Sequence, residues 1–156
     1  MFVFARAVTY ATLFVGFVLV ALPAQVLRAS GVQPPAATGV FQAVGLAVAV
    51  PGAALALACI LTFVFAGKGT PAPFDPPRRL VVTGPYRWMR NPMYLGAAIA
   101  MSGAALFYES PALGGYVAAF LAATHLFVIG YEEPTLRRLF DGPYDQYCRQ
   151  VPRWLI

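Results

Sequence analysis

The stretch that decides the fold reads VFQAVGLAVAVPGAALALACILTFVFA and covers residues 40–66. It contains no Asp, Glu, Lys or Arg, and its 27 residues would form a helix about 40 Å long. A helix needs about 20 apolar residues to cross the roughly 30 Å hydrocarbon core of a bilayer. We therefore predict a membrane-spanning helix here, with tilt or a kink at Pro51 absorbing the excess length.

Three further uncharged runs flank this stretch, and together they predict spans at about 8–27, 40–66, 92–107 and 112–131. Of the 156 residues, 60% are hydrophobic and 11% are charged, whereas a soluble domain has about 25% charged residues. This composition excludes a soluble globule, and it excludes a disordered chain, which needs low hydrophobicity. The predicted fold is all-α: an integral membrane helical bundle of about four transmembrane helices, forming one domain over 1–156.

The positions of the basic residues predict the orientation. The net charge is +5, but Lys and Arg flank the spans and form no stripe, so we predict no nucleic-acid partner. Five basic residues lie at 67–91 and four in the tail, while the loop between the third and fourth spans has none. The positive-inside rule then puts both termini and residues 67–91 in the cytoplasm, with the spans in the cell (inner) membrane.

The most informative stretch for function is TGPYRWMRNPMYLG, residues 83–96. Gly84 allows the backbone to approach a ligand closely. Pro92 can begin a helix, and the free backbone N–H groups beside Asn91 suit a carboxylate or a phosphate. The Tyr, Trp and Arg residues of this stretch fit a membrane-interface belt equally well, so both interpretations stay open.

Two acidic residues and one histidine are the other candidates. Glu132 and Glu133 directly follow the fourth span, on the same predicted side as residues 83–96. They suit a cationic or ribose-bearing ligand, or simply a solvated helix end. His125 lies inside the fourth span, where we favour a hydrogen bond to a neighbouring helix over a catalytic role.

Small residues and cysteines receive structural interpretations. Cys59 and Cys148 are too few and too far apart for a disulfide framework or a zinc site, and no metal is predicted. Four glycines on the third and fourth spans are small enough for close helix contact: Gly96, Gly103, Gly114 and Gly115.

In order and spacing, these motifs resemble a known family. GPYRWMRNPMYLG, an apolar hairpin, EEPTLRRLF and then Y-x-x-Y-x-x-x-VPR are similar to the isoprenylcysteine carboxyl methyltransferases. The resemblance is to the small bacterial members, which are related to phospholipid methyltransferases, and it covers about residues 67–156. It implies a methyltransferase embedded in the membrane and dependent on S-adenosyl-L-methionine. The cofactor would enter from the cytoplasm, and an amphiphilic, lipid-like acceptor would enter from the bilayer.

The resemblance also implies where the site lies. The uncharged runs place two spans in residues 1–66, and the resemblance implies that residues 67–156 supply the cofactor-binding loop, the hairpin and a C-terminal helix. The tail would fold over the cofactor, with Tyr144, Tyr147 and Arg153 as further candidates. The acidic pair or His125 would accept the proton of an amine substrate, and Glu132 and Glu133 are the catalytic candidates. The chemistry of the loop residues makes Gly84 and Arg90 cofactor-binding candidates, and the resemblance implies as further ones Leu80, Val81, Tyr86, Asn91, Pro92, Met93, Tyr94, Glu132 and Glu133.

Two departures from the family pattern bear on the acceptor. The family's histidine is Asn91 here, which cannot take a proton at neutral pH, so a protonated histidine cannot be required. Members that act on prenylcysteine carry an arginine shortly before the acidic pair, and residues 124–131 contain none. A prenylcysteine carboxylate would therefore lack a natural partner, and the choice between carboxylate and amine acceptors stays open.

Two other function classes stay open as well. A membrane reductase of the sterol-reductase kind shares a similar Arg-x-Pro-x-Tyr stretch, but it would need a nicotinamide cofactor and usually more spans. A non-catalytic membrane adaptor explains the spans and the aromatic belt, but it does not explain the paired motifs.

Overall fold

The computed structural model of the protein describes residues 15–67 and 79–155, and every regular element within them is helical. Residues 8–14 of the predicted first span, 8–27, lie outside the described residues. The predicted cytoplasmic segment at 67–91 lies outside them at positions 68–78.

Five α-helices make up most of the described chain. In order, they are α1 (Leu22–Ala29), α2 (Val40–Thr62), α3 (Pro92–Phe107), α4 (Pro111–Phe127) and α5 (Glu133–Gln150). Shorter helical segments extend or precede them: the π-helical Val15–Ala21 before α1 and Phe63–Gly67 after α2, the 3-10 turn Gly84–Arg87 before α3, and the π-helical Val128–Glu132 between α4 and α5.

Within residues 15–67 and 79–155, two continuous helices are long and apolar enough to cross a bilayer. They are the 27-residue Val40–Ala66 and the 40-residue Pro111–Gln150, whose apolar half is α4. With 16 residues, α3 is about 24 Å long, which is shorter than the roughly 30 Å hydrocarbon core. The predicted all-α membrane bundle is confirmed, while the number of four spans stays a prediction.

The closest helix pair in the bundle is α2 with α3. Gly45 and Gly52 on α2 face Gly103 and Gly96 on α3, so that the two backbones touch. A Cβ on Gly52 would lie 2.8 Å from the Gly96 carbonyl oxygen, and one on Gly103 would lie 2.5 Å from that of Gly45. The predicted close contact of Gly96 and Gly103 is confirmed, and its partner is α2.

The same prediction is wrong for α4. Gly114 and Gly115 are exposed, and a Cβ on either would meet nothing within 4 Å. Larger side chains join α4 to α3 instead, because their shared core is a cluster of buried apolar residues. These are Tyr94, Ala97, Ala98, Met101, Val117, Phe120 and Val128.

Polar groups fix the end of the bundle that lies away from the acidic pair. Gln42 is buried, and its Nε2 donates to the Phe107 carbonyl oxygen and to Glu109 Oε1, both at 3.0 Å. Ser110 caps α4, since its hydroxyl oxygen accepts from the backbone N–H of Leu113 at 3.3 Å. The Gln42 bonds hold the start of α2 against the end of α3, and the Ser110 cap satisfies a backbone N–H at the start of α4.

A kink returns the tail to the rest of the bundle. At Asp141, inside α5, φ is 42° and ψ is −123°. The second half of α5 then reaches the loop before α3, where the Tyr147 hydroxyl donates to the Tyr86 carbonyl oxygen at 2.7 Å. Residues 151–155 form a C-terminal strap that continues past the start of α3, where the Arg90 N–H donates to the Pro152 carbonyl at 2.9 Å.

Candidate functional site

A glycine and a buried tyrosine shape the loop that precedes α3. Gly84 opens the 3-10 turn with φ +60°, a conformation that other residues rarely adopt. The turn buries Tyr86 edge-on against Phe63, with ring centroids 5.1 Å apart. Val81 and Cys59 complete this apolar cluster. The turn therefore anchors the loop on the end of α2, directly before the start of α3.

The two adjacent acidic residues have different partners. The Tyr94 hydroxyl donates to Glu132 Oε2 at 3.1 Å. Both Glu133 oxygens accept from Arg153, with Nε to Oε1 at 2.7 Å and Nη2 to Oε2 at 2.9 Å. Arg90 Nη1 lies 3.0 Å from the same Oε1. Among the described residues, Glu133 is bound by two cations and Glu132 by none.

These surroundings move the two pKa values in opposite directions. Burial raises the pKa of Glu132 above its ordinary value, the charge of Glu133 adds to this, and the Tyr94 hydrogen bond opposes it. Burial would also raise the pKa of Glu133. The hydrogen bond from Arg153 and the charges of Arg90 and Arg153 outweigh burial and hold that pKa below its ordinary value. Glu132 is therefore the stronger base of the two, and Glu133 the more firmly ionised.

Arg90 and Asn91 connect the start of α3 to the tail. Asn91 Nδ2 donates to the Arg153 carbonyl oxygen at 3.1 Å, and its side chain does not cap α3. Arg90 Nη1 donates to Cys148 Sγ at 2.8 Å. Arg90 Nε is buried and has no hydrogen-bond partner among the described residues. This Nε and the uncapped N–H groups of α3 are donors that suit an anionic ligand group.

The remaining predicted loop residues lie in two different surroundings, the packed interior and an open cavity. Pro92 is buried at the start of α3, and Met93 packs against both apolar clusters. Leu80 instead lines an open cavity of about 430 Å³, together with Arg87 and Tyr147. Neither acidic residue lines that cavity, so Leu80 and the acidic pair do not share it.

The tail contributes three of the predicted residues. Tyr144 and Tyr147 are buried, and burial raises the pKa of both hydroxyls well above the ordinary value, so both are neutral donors. Arg153 binds Glu133 through its guanidinium group. His125 forms the predicted kind of interaction with a different partner: its Nδ1 accepts from Trp154 Nε1 of the strap at 3.1 Å, not from a neighbouring helix.

Sequence reasoning missed Cys59 and Trp154 as parts of this region. Cys59 is fully buried and its thiol lies at the Tyr86 side chain. A signal existed, since Leu55, Cys59 and Phe63 are four residues apart and share one face of a helix. For Trp154 the signal was weaker, namely its position directly after Arg153. Within residues 15–67 and 79–155, no three His, Cys, Asp or Glu side chains cluster as metal ligands.

Comparison with known proteins gives one match. A family model described as phospholipid methyltransferase matches residues 40–142, about two thirds of the chain. The matched range contains α2, α3, α4, the loop with Tyr86 and both acidic residues, and it ends before the C-terminal strap. Comparisons with curated proteins and with solved structures gave no match.

Proposed function

The chain belongs to the phospholipid methyltransferase family, and on that premise we propose that it transfers a methyl group from S-adenosyl-L-methionine to an amine of a lipid-like acceptor. Membership supports a membrane methyltransferase, and the resemblance of residues 67–156 to isoprenylcysteine carboxyl methyltransferases supports this donor. The observation that carries the finer proposal is the division of the acidic pair. Glu133 is neutralised by two arginines, while Glu132 faces a tyrosine and keeps a raised pKa.

The donors and acceptors of the site fit the chemistry of the proposed cofactor. S-adenosyl-L-methionine carries a carboxylate, an ammonium group and ribose hydroxyls, and when bound it supplies a methyl group on an activated sulfonium. Arg90 Nε and the N–H groups at the start of α3 are donors suited to the carboxylate. Glu132 is an acceptor suited to the ammonium or the ribose hydroxyls. Tyr86, Asn91 and Met93 belong to the same proposed binding region.

Electrostatics favour an amine over a carboxylate as the acceptor. Among the described residues, Arg153 is committed to Glu133, and Arg90 gives Nη1 to Glu133 while its Nε is the donor proposed for the cofactor carboxylate, so neither is left to hold an acceptor carboxylate. Glu132 attracts an ammonium and, with its raised pKa, can take the proton from it. Glu132 would thereby leave the amine neutral and able to accept the methyl group that the cofactor would supply when bound. Alignment and exclusion of water supply the rest of the rate.

Calorimetry on the detergent-purified protein tests the cofactor, with NADPH in a parallel cell. We expect wild type to bind S-adenosyl-L-methionine and not NADPH, and Glu132→Gln to bind it more weakly. Trp88→Phe is the control, because Trp88 is 77% exposed and lies in the loop before α3, within the proposed binding region. Absence of S-adenosyl-L-methionine binding to folded wild type would overturn the proposal, and NADPH binding would favour the reductase.

A methylation assay tests the acceptor. Transfer of a radiolabelled methyl group is followed into vesicles that contain either an aminophospholipid or a fatty acid. We expect label in the aminophospholipid alone. Label in the fatty acid alone would overturn the amine assignment while leaving the methyltransferase intact.

The orientation belongs to the proposal too. We propose that residues 79–91, the acidic pair and both termini face the cytoplasm, where S-adenosyl-L-methionine is made, and that the spans lie in the inner membrane. The basic residues at 67–91 and in the tail support this orientation. A reporter enzyme that works only in the cytoplasm, fused after residue 156, tests it. We expect reporter activity. Its absence in an expressed fusion would overturn the proposed orientation.

A further inference from the structure

The C-terminal strap is fastened to three separate parts of the protein. The Pro152 carbonyl accepts from the Arg90 N–H at 2.9 Å, and the Arg153 carbonyl accepts from Asn91 Nδ2 at 3.1 Å. The Arg153 guanidinium binds Glu133 through two hydrogen bonds. Beyond these contacts, the strap is fastened by Trp154. The indole reaches back to α4, so the strap bridges the start of α3, the start of α5 and the membrane-spanning helix.

The contact between Trp154 and His125 is specific in its chemistry. An indole N–H can only donate, so His125 Nδ1 must be the acceptor, and the neutral ring carries its proton on Nε2. The two rings are also stacked, with centroids 6.1 Å apart and planes inclined by 30°. Trp154 packs in addition against the apolar core that contains Tyr94. One side chain of the strap therefore contacts both α4 and the core around the Glu132 partner.

We propose that His125 and Trp154 are positioning residues that latch the C-terminal strap onto the bundle and thereby set the cofactor-binding arginine and asparagine. The inference rests on the proposed function and names two residues that act on the site from outside it. Arg153 lies between two fixed points, Pro152 and Trp154. Without the Trp154 contact, the end of the strap gains conformational freedom. Each bond made by Arg153 then has to offset the conformational entropy lost when the strap is ordered.

The latch is expected to act on binding and not on the chemical step. Arg90, which the strap holds through its backbone N–H, carries the Nε donor proposed for the cofactor carboxylate, and Asn91, which binds the strap through Nδ2, lies in the same proposed binding region. Glu132 and Tyr94 make their hydrogen bond without any strap residue. The strap lies beyond residues 40–142, the range that matches the family model, whereas His125 lies within that range.

Three variants and a double variant test the latch in the full-length protein. His125→Leu removes the acceptor, and Trp154→Phe removes the donor while keeping a ring. His125→Asn places an amide oxygen near the position of Nδ1 and should restore the bond. The loss of one net hydrogen bond predicts a rise of about three- to tenfold in the KM for S-adenosyl-L-methionine in the first two variants, with kcat unchanged. The His125→Leu/Trp154→Phe protein should be no worse than the poorer single variant.

A second readout follows the strap itself and needs no cofactor. Trypsin cleavage of the bond after Arg153 removes three residues and is measured by intact mass. We expect faster cleavage in His125→Leu and Trp154→Phe, and wild-type cleavage in His125→Asn. Two matched controls should cleave like wild type. Trp88→Phe changes an exposed tryptophan, and Tyr116→Phe removes a different hydrogen bond of α4, the one at 2.7 Å to the Val18 carbonyl.

The outcomes separate the latch from the proposed function. Wild-type cleavage in both latch variants would overturn the latch, and so would His125→Asn behaving like His125→Leu, because the role would then be packing alone. A change of kcat in either direction, with KM unchanged, would also overturn the latch. If wild type binds no S-adenosyl-L-methionine, the proposed function fails, and the cleavage pattern still decides the latch.

Discussion

Neutralising the two acidic residues one at a time should affect two different properties. In Glu133→Gln, the Arg90 and Arg153 guanidinium groups lose the charge that holds them together. The Glu133 and Arg90 side chains are only 7% and 12% exposed, and Arg153 is 33% exposed. Breaking a buried ion pair costs about 3–5 kcal/mol, and breaking an exposed one costs about 0–1 kcal/mol. With one buried and one partly exposed arginine, we expect a loss of about 3 kcal/mol in the free energy of unfolding.

For a protein of this size, 1 kcal/mol corresponds to roughly 2–4 °C, so the Tm of Glu133→Gln should fall by about 6–12 °C. Glu132→Gln gives up one hydrogen bond from Tyr94, which is worth about 1 kcal/mol, and it relieves the burial of a charge. Its Tm should therefore stay within about 4 °C of wild type. Its turnover should fall by about 10²–10⁴-fold, because it no longer supplies a base.

The assay pairs thermal unfolding, followed by tryptophan fluorescence in detergent, with methyl transfer to an aminophospholipid at about 10 °C below the lower Tm, a margin of several times the shift expected per kcal/mol. Measured there, activity loss in either variant is not a consequence of unfolding. The reasoning is refuted if Glu133→Gln keeps the wild-type Tm, or if Glu132→Gln keeps wild-type turnover. An equal loss of Tm in the two variants would also refute the division of roles.

Three further predictions concern packing, the tail and pH. Gly52→Ala should cost about 1–3 kcal/mol of stability because its Cβ meets the α3 backbone, whereas Gly114→Ala, in open space, should leave Tm unchanged or raise it; equal Tm values in this pair would contradict the α2–α3 contact. Tyr147→Phe leaves the Tyr86 carbonyl without its 2.7 Å donor and should lower stability by about 1–3 kcal/mol, measured as a fall in Tm. The pKa of Glu133 is lower in the folded protein than its ordinary value of 4.5, so its stabilisation is complete above that pH and is lost as pH falls through the lower folded value. The Tm difference between wild type and Glu133→Gln should therefore be constant above pH 4.5 and shrink below it, and a difference that already shrinks at about pH 6 would contradict the ion pair.

The ends of the second and third predicted spans were predictable because charge and proline mark them. The predicted third span at 92–107 coincides with Pro92–Phe107, since Pro92 begins the helix and Glu109 lies just beyond its end. The second predicted span coincides with Val40–Ala66, although its last residues are π-helical. Proline and charge act locally, so a single sequence contains the information needed to place these ends.

The packing partners were not predictable in the same way. Helices that are apolar all round carry no periodic polar face, and so the sequence does not say which side meets which neighbour. Gly96 and Gly103 meet α2, yet Gly114 and Gly115, of the same residue type, face outward. The tail contacts were equally hidden, because Trp154 and His125 are 29 residues apart and neither follows a spacing rule.

The division of the acidic pair has a geometric cause that only the structure reveals. Successive residues on a helix point about 100° apart, so neighbours in sequence need not share an environment. Glu132 ends the π-helical segment Val128–Glu132, and Glu133 begins α5. A π-helical turn holds more residues than an α-helical turn, so it rotates α5 relative to α4. That rotation lets Glu132 reach Tyr94 on α3 while Glu133 turns toward Arg90 and the strap. One acid thereby binds the tail, and the other is the one that we propose acts on the ligand.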